Sequence, residues 1–204
     1  MKRTLLSILV IGLLLLTACA SPSTTPTEAP TPVPDLSKHL MLNPDDLGAG
    51  WSYELKLGSS TYGGWTPQYG GSVIQQAIYQ LVDIDDNTKL IKGVFQLALV
   101  YPDLETAVES EYLKGWRYYL EPLDLPFWDE VYLGTPSKEY AEIALRKANE
   151  IVSLKYREEI RRRNILTGEF RDVEYQELNQ EQIQWARNFL CDLSEAIQRK
   201  MVAQ

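Results

Sequence analysis

Hydrophobic and polar positions alternate in three segments of the N-terminal half of the chain. This pattern predicts β-strands over residues 51–57, 72–84 and 90–101. The third segment carries apolar residues on both faces: Phe95, Leu97, Leu99 and Tyr101 on one, and Val94, Ala98 and Val100 on the other. Because neither face is suited to water, we expect this strand to lie at the centre of a sheet that is covered on both sides.

Three further strands are predicted in the second half of the chain. Residues 129–134 form a short strand, and residues 140–147 and 150–157 form a hairpin with Asn149 near its turn. Apolar residues alternate with polar ones in both arms of the hairpin. They are Ala141, Ile143 and Leu145 in the first arm, and Val152, Leu154 and Tyr156 in the second. Residues 158–178 follow neither period, being charged at first and loop-like around Gly168.

Two segments repeat apolar residues with the period of a helix. The first covers residues 103–120, with Asp103 suited to its N-terminal cap and Pro122 ending it. Its apolar stripe consists of Leu104, Val108, Tyr112, Trp116 and Leu120. The second helix begins after Asn179, with Gln182 at the capping-box position. Its apolar face consists of Ile183, Ala186, Phe189, Leu190, Leu193, Ile197 and Met201.

The order of these elements predicts the fold class. Three strands, a helix, three strands and a helix, with hairpins between the strands, indicate an α+β domain. We expect an antiparallel sheet of about five to six strands with two main amphipathic helices packed on it.

The N-terminus has the pattern of an export signal. Lys2 and Arg3 precede an apolar run over residues 5–16, which is too short to cross a bilayer of ~30 Å but suits a signal-peptide core. Leu16-Thr17-Ala18-Cys19 follows and resembles the lipobox of bacterial lipoproteins. The resemblance implies that Cys19 takes a diacylglycerol, that residues 1–18 are removed, and that the mature protein is attached to a membrane through its lipid.

Residues 19–35 predict a tether that separates this anchor from the folded part. Five of the eleven prolines lie there among Thr and Ser residues, and the segment has almost nothing apolar to bury. A single globular domain is therefore expected over residues 36–204.

The start of that domain resembles a known group. Residues 42–51 read LNPDDLGAGW, with Asn43 and Pro44 suited to the first turn of a short helix and Gly48 and Gly50 to its end. This segment is similar to the opening of extracytoplasmic sensor-type domains of bacterial lipoproteins and receptor kinases. The resemblance implies a curved antiparallel sheet with flanking helices and a binding role without catalysis. Those domains often carry a disulfide, which this domain cannot form because Cys191 is its only cysteine.

Composition removes several classes of function. The formal net charge of −8 argues against a nucleic-acid partner, and two cysteines with one histidine are too few for an all-Cys/His zinc site. The sequence shows no motif for a cofactor, a metal or a catalytic triad. His39 and Cys191 could form a nucleophilic pair, but an exposed histidine and a half-buried thiol are the simpler interpretation. Asp83, Asp85 and Asp86 indicate a polar turn rather than a calcium loop.

Aromatic residues on loops are the main candidate contacts. Tyr62, Trp65 and Tyr69 lie in a glycine-rich segment, and Phe127 and Trp128 follow the first helix outside its apolar stripe. Rigid rings of this kind contact sugars or protein partners, although they can also fold back over the sheet as a cover. A basic run consists of Arg157, Arg161, Arg162 and Arg163, and it is either a patch for an anionic ligand or partner, or a solvated turn that balances nearby glutamates.

These observations favour an extracytoplasmic lipoprotein of the cell membrane or outer membrane. Its domain is expected to bind a ligand or a partner, such as an envelope protein or a glycan, without catalysis. The alternative is a cell-envelope polysaccharide hydrolase. It would use two carboxylates that face each other at ~5–10 Å, and the candidates are Glu121, Asp124, Asp129 and Glu130.

Overall fold

The computed structural model describes residues 38–57, 73–85 and 87–203. The strands are β1 Ser52–Leu57, β2 Val73–Ile84, β3 Thr88–Val100, β4 Glu121–Pro122, β5 Glu130–Ser137, β6 Tyr140–Lys147, β7 Glu150–Arg163 and β8 Phe170–Tyr175. The helices are α1 Pro44–Leu47, α2 Leu104–Val108, α3 Glu111–Tyr119 and α4 Gln180–Val202, and a single 3-10 turn covers Lys38–Leu40. The predicted α+β class is confirmed.

The strands form one antiparallel sheet in the order β1-β2-β3-β7-β6-β5-β4, and β8 pairs with β7. β7 is long enough to pair with β6 over its first half and with β8 over its second half. Over the part of the chain that the structure describes, the sheet therefore has eight strands, more than the predicted five to six. The two that the pattern missed are β4, which has only two residues, and β8, whose described side chains are mostly exposed and therefore show no apolar alternation.

Helices cover both faces of the sheet. On one face, α4 and the chain from Leu40 to Leu47 pack on a core that includes Val94, Ala98 and Leu154. On the other face, α2 and α3 pack on a smaller core around Leu99 and Ile151. Strand β3 lies between β2 and β7 and contributes to both cores, as its two apolar faces predicted.

The first predicted helix is divided in two. Asp103 accepts a hydrogen bond from Thr106 N at 2.7 Å and caps α2, as expected. Ser110 then begins a second helix and accepts from Leu113 N at 3.3 Å. The break changes which face is buried: Leu104 is 53% exposed, whereas Ala107, Leu113, Trp116 and Leu120 are buried. The predicted stripe is thus right for Trp116 and Leu120 and wrong for Leu104.

The closing helix begins with the expected capping box, in which Asn179 and Gln182 exchange hydrogen bonds of 2.9 Å. A buried glutamine attaches the start of the domain to the sheet beneath this helix. Gln96 donates to Leu40 O at 2.7 Å, and its side-chain oxygen accepts from Leu42 N at 3.0 Å. Tyr79 adds a hydrogen bond to Leu42 O at 2.8 Å. These bonds satisfy backbone groups that would otherwise be buried without partners.

The β6–β7 hairpin follows the prediction closely, and its turn fixes the register of both arms. Ala148 adopts a positive φ of 51°, which the two-residue turn requires. Asp129 supports this turn by accepting from Ala148 N at 2.7 Å. The register places Glu142 opposite Lys155 and Tyr140 opposite Arg157.

Candidate functional site

A pocket of about 810 Å³ lies between α3 and the face of the sheet that α3 covers. We call it the helix–sheet pocket. Its lining comes from α3 and from strands β2, β3, β5, β6 and β7, and includes Gln76, Ile78, Phe95, Leu97, Glu111, Tyr112, Gly115, Trp116, Tyr119, Pro136, Tyr140, Glu142, Ser153, Lys155 and Arg157. The volume falls in the range of sites for small molecules, ~300–1,000 Å³.

A buried carboxylate stands in the wall of this pocket. The side chain of Glu142 is only 10% exposed. Its Oε1 accepts hydrogen bonds from Trp116 Nε1 and from Ser153 Oγ, each at 2.9 Å. Its Oε2 lies 3.7 Å from Lys155 Nζ, beyond hydrogen-bond distance. The helix and two strands therefore meet at this one side chain.

Two cations follow each other on β7 and line the same pocket. Lys155 lies over the ring of Tyr140, with Nζ 4.3 Å from the ring centroid. The guanidinium of Arg157 lies 4.1 Å from the ring centroid of Phe95 and 4.6 Å from that of Tyr175. These ring contacts hold the two cations in place. They do not use up the N–H groups as hydrogen-bond donors.

Aromatic rings form much of the remaining wall. Tyr112 and Trp116 stack with centroids 5.6 Å apart on α3. Tyr119, which is 67% exposed, lies one turn further on. Burial, helped by the carboxylates of Glu142 and Glu139, raises the pKa of the Tyr140 phenol. That phenol therefore stays protonated at neutral pH and keeps a hydrogen-bond donor.

The aromatic candidates from the sequence lie elsewhere. Tyr62, Trp65 and Tyr69 are outside the described residues. Trp128 is only 7% exposed and belongs to the core under α4, and Phe127 packs against that core. Their two rings meet edge to face at 5.2 Å. Trp128 therefore belongs to the core, whereas Phe127 is only partly buried and keeps part of its side chain accessible.

The basic run lies on the second half of β7 rather than in a turn, and each arginine has local contacts. Arg161 donates two hydrogen bonds to Glu159 Oε1, at 2.9 and 2.6 Å. Arg162, which is 69% exposed, pairs with Glu174 at 3.3 Å. Arg163 donates to Gly168 O at 3.1 Å. These contacts fit the balanced-charge interpretation better than an open anion patch.

Three of the four candidate catalytic carboxylates line a separate shallow hollow of about 400 Å³: Asp124, Asp129 and Glu130. Arg146 lies between two of them, bonding Glu130 at 2.9 Å and Asp129 at 3.2 Å. The pKa of Asp129 is lowered, mainly by the hydrogen bond from Ala148 N. Glu121 does not line this hollow and is 82% exposed.

The remaining polar candidates also have structural partners. His39 is not exposed as expected: its Nε2 lies 2.6 Å from Glu150 Oε1, and both side chains are mostly buried. Cys191 is half-buried, and burial raises the pKa of its thiol, which disfavours the nucleophilic thiolate. Asp85 caps the β2–β3 turn by accepting from Asn87 N and Thr88 N.

The described part of the chain lacks two further features, a cluster of metal ligands and a membrane-spanning helix. Within residues 38–57, 73–85 and 87–203, no group of three or more His, Cys, Asp or Glu side chains is arranged to hold a metal ion. In the same ranges, no helix combines the length and the apolarity needed to cross a membrane.

The sequence named Arg157 in the basic run, but it did not reveal the helix–sheet pocket or the role of Glu142, Ser153 and Lys155 in it. Glu142, Ser153, Lys155 and Arg157 occupy the polar positions of two alternating strands, which are normally the solvent side. The usable signal was the hairpin register, which sets Glu142 opposite Lys155, together with a second helix available to cover that face. A further signal was Gly115, a glycine inside a helix beside two aromatic residues.

Comparisons with known proteins add no relative. No family model matches the chain, and neither the curated proteins nor the solved structures contain a significant match.

Proposed function

We propose that the protein is a lipid-anchored, extracytoplasmic binding protein whose domain takes a small ligand into the helix–sheet pocket without catalysis. The observation that carries the binding role is the pocket itself. It is about 810 Å³ in volume, largely aromatic and aliphatic, and has a few polar groups that converge on Glu142. Pockets with these properties are the preferred sites of small molecules.

The state of Asp129 and Glu130 makes the polysaccharide-hydrolase alternative less favourable than a binding role. A glycosidase needs one carboxylic acid with a raised pKa to protonate the leaving group. Burial of Glu130 acts in that direction, but hydrogen bonds from Tyr132, Arg117 and Arg146 outweigh it and lower the pKa. The pKa of Asp129 is lowered as well. Both groups are thus favoured as carboxylates, and their cation partners give them a structural role.

Gly115 offers a direct test of the pocket. A Cβ placed on Gly115 meets no heavy atom within 4 Å, apart from its own neighbourhood on the helix. The residue lies on the pocket side of α3, so a leucine there would occupy the space that a ligand needs. Replacing a glycine inside a helix also removes a penalty of about 1 kcal/mol, so the variant should be at least as stable as the wild type.

The experiment measures binding of N-phenyl-1-naphthylamine, a neutral fluorescent probe, to residues 20–204 and to the Gly115→Leu variant. We expect at least a tenfold loss of affinity with an unchanged or higher melting temperature. Tyr118→Leu is the matched control, because Tyr118 lies on the same helix but is 82% exposed and does not line the pocket. Equal binding by wild type and Gly115→Leu would overturn the proposal.

A further inference from the structure

We infer that the ligand of the helix–sheet pocket is a small organic anion with a flat apolar body, and that Lys155 and Arg157 bind its acid group. This inference rests on the proposed binding function and adds the chemical class of the ligand.

The two cations are placed to act together. Lys155 and Arg157 are two residues apart on β7, so their side chains leave the same face of the sheet at an interval of ~6.6 Å. Both line the pocket, and both are partly accessible, with side-chain exposures of 36% and 29%. A carboxylate, sulfonate or phosphate group can contact two cations at this spacing at once.

Neither cation is fully used by the protein. Lys155 Nζ is 3.7 Å from Glu142 Oε2, and Arg157 Nη2 is 3.8 Å from Glu159 Oε2. Both distances exceed those of hydrogen bonds. Glu159 directs its other oxygen to Arg161, from which it accepts two short hydrogen bonds. Among the described residues, therefore, the N–H groups of Lys155 and Arg157 retain capacity for an outside acceptor.

Glu142 lies beside the two cations but does not neutralise both of them. Its Oε1 is already bonded to Trp116 and Ser153, and its body is buried in the wall. Its Oε2 lies 3.7 Å from Lys155 Nζ. Glu142 therefore partly balances the charge of Lys155, as Glu159 does for Arg157, and both cations stay within reach of the acid group of a ligand.

The rest of the pocket specifies the body of the ligand. Trp116 and Tyr112 stack on one wall, and Ile78 and Leu97 are contributed by strands on the opposite wall. The lining also includes the polar residues Gln76, Glu111, Glu142 and Ser153, but most of its accessible surface is apolar. An aromatic or alicyclic ring system can pack on that apolar surface with its acid group at Lys155 and Arg157.

The net charge of the chain makes anion binding dependent on Lys155 and Arg157. The formal net charge is −8, so the general field of the protein repels small anions. Binding of an anion must then depend on the local pair of cations and weaken with salt. Binding of a neutral molecule of the same shape should depend little on the two cations or on the salt concentration.

The test uses two probes that share one ring body. 8-Anilinonaphthalene-1-sulfonate carries an acid group, and N-phenyl-1-naphthylamine is the same body without it. Both probes are titrated into a protein of residues 20–204. The double variant Lys155→Met/Arg157→Met of this protein retains much of the side-chain volume and removes both charges. We expect its affinity for the sulfonate to fall at least tenfold while its affinity for the neutral probe stays within threefold. Raising the salt concentration should weaken sulfonate binding to the wild type in the same selective way.

The matched control is Lys138→Met/Arg162→Met, which removes the same charge from side chains that are 77% and 69% exposed outside the pocket. It should leave both affinities within threefold. An equal response of the two probes to Lys155→Met/Arg157→Met would overturn the anion assignment. If Gly115→Leu leaves binding of both probes intact, the proposed binding site itself fails instead.

Discussion

At the scale of single residues, the buried arginine on β6 forms hydrogen bonds to two carboxylates and one carbonyl. Arg146 is only 8% exposed, and its guanidinium contacts Glu130, Asp129 and the carbonyl of Ala148. Glu130 also accepts from both Arg117 and Tyr132, at 2.9 and 2.7 Å. Removing one partner of a buried ion pair destabilises the folded protein, because the other charge is left without compensation. The network thus holds α3, β5 and β6 in register beside the pocket.

We predict that Glu130→Gln lowers the free energy of unfolding by about 2 kcal/mol at pH 7, because Arg117 and Arg146 lose the carboxylate they share, while Arg146 keeps Asp129 as its charged partner. The folded protein depresses the pKa of Glu130, so this contribution is fully present above the unfolded pKa of about 4.3 and is lost as the pH falls below it. Urea denaturation at pH 7 and pH 3.5 should show the difference between wild type and variant narrowing at the lower pH.

The control for this measurement is Glu195→Gln. Glu195 is 70% exposed, and its pair with Arg199 on α4 spans 4.0 Å. Exposed pairs of this kind contribute little, so the variant should remain within about 0.5 kcal/mol of the wild type. A Glu130→Gln protein as stable as the wild type at pH 7 would show that the network is not needed.

At the scale of helices and strands, alternation predicted well wherever one face of a strand is buried. The bounds of β6 agree with the predicted residues 140–147, and β3 is central as its two apolar faces required. The reason is physical: a shift of one residue would expose the buried face of the strand, so the pattern is strongly determined. Strand β8 has no such face and left no pattern.

The helix over residues 103–120 shows what a period cannot reveal. A spacing of four residues linked Leu104 to Trp116 through a helix that is actually interrupted at Ser110. Ser110 begins its own helix by bonding Leu113 N, and the two parts need not share a face. Capping residues inside a periodic segment were the local signal that outweighed the period.

We predict that Trp116→Ala destabilises the domain by ~3–5 kcal/mol, because it removes a large ring that is 9% exposed and leaves Glu142 without one of its donors. Tyr118→Ala, on the exposed side of the same helix, should change stability by less than about 0.5 kcal/mol. Thermal or urea denaturation of the two variants side by side measures both. A loss below about 1 kcal/mol for Trp116→Ala would contradict the packing of α3 on the sheet.

At the scale of the whole molecule, the site could not be predicted from the sequence because it is assembled from distant parts. Glu142 meets Trp116 across 26 residues and Ser153 across 11. The strand order brings β3 beside β7, so that Phe95 reaches Arg157. Local patterns give the elements but not which of them become neighbours, so the sequence did not show that Trp128 lies in the core under α4.

The predicted lipid anchor belongs to the same scale, because an anchor would determine where the domain acts. Cys19 lies outside the described residues, so its role is a prediction from the lipobox resemblance alone. Two or three acyl chains would make such an attachment durable, since each buried CH₂ contributes ~0.8 kcal/mol.

We predict that Cys19→Ala abolishes incorporation of labelled palmitate and leaves the protein either uncleaved or released from the membrane. The chain supplies its own control, because its other cysteine, Cys191, is half-buried on α4 and packs against the core. Cys191→Ala should therefore keep both the label and the membrane association. Growth with radiolabelled palmitate, followed by fractionation, compares the two variants. If the Cys19→Ala protein is still labelled and bound to the membrane, the lipobox assignment is contradicted. If the Cys191→Ala protein loses the label, Cys191 rather than Cys19 is the acylated residue.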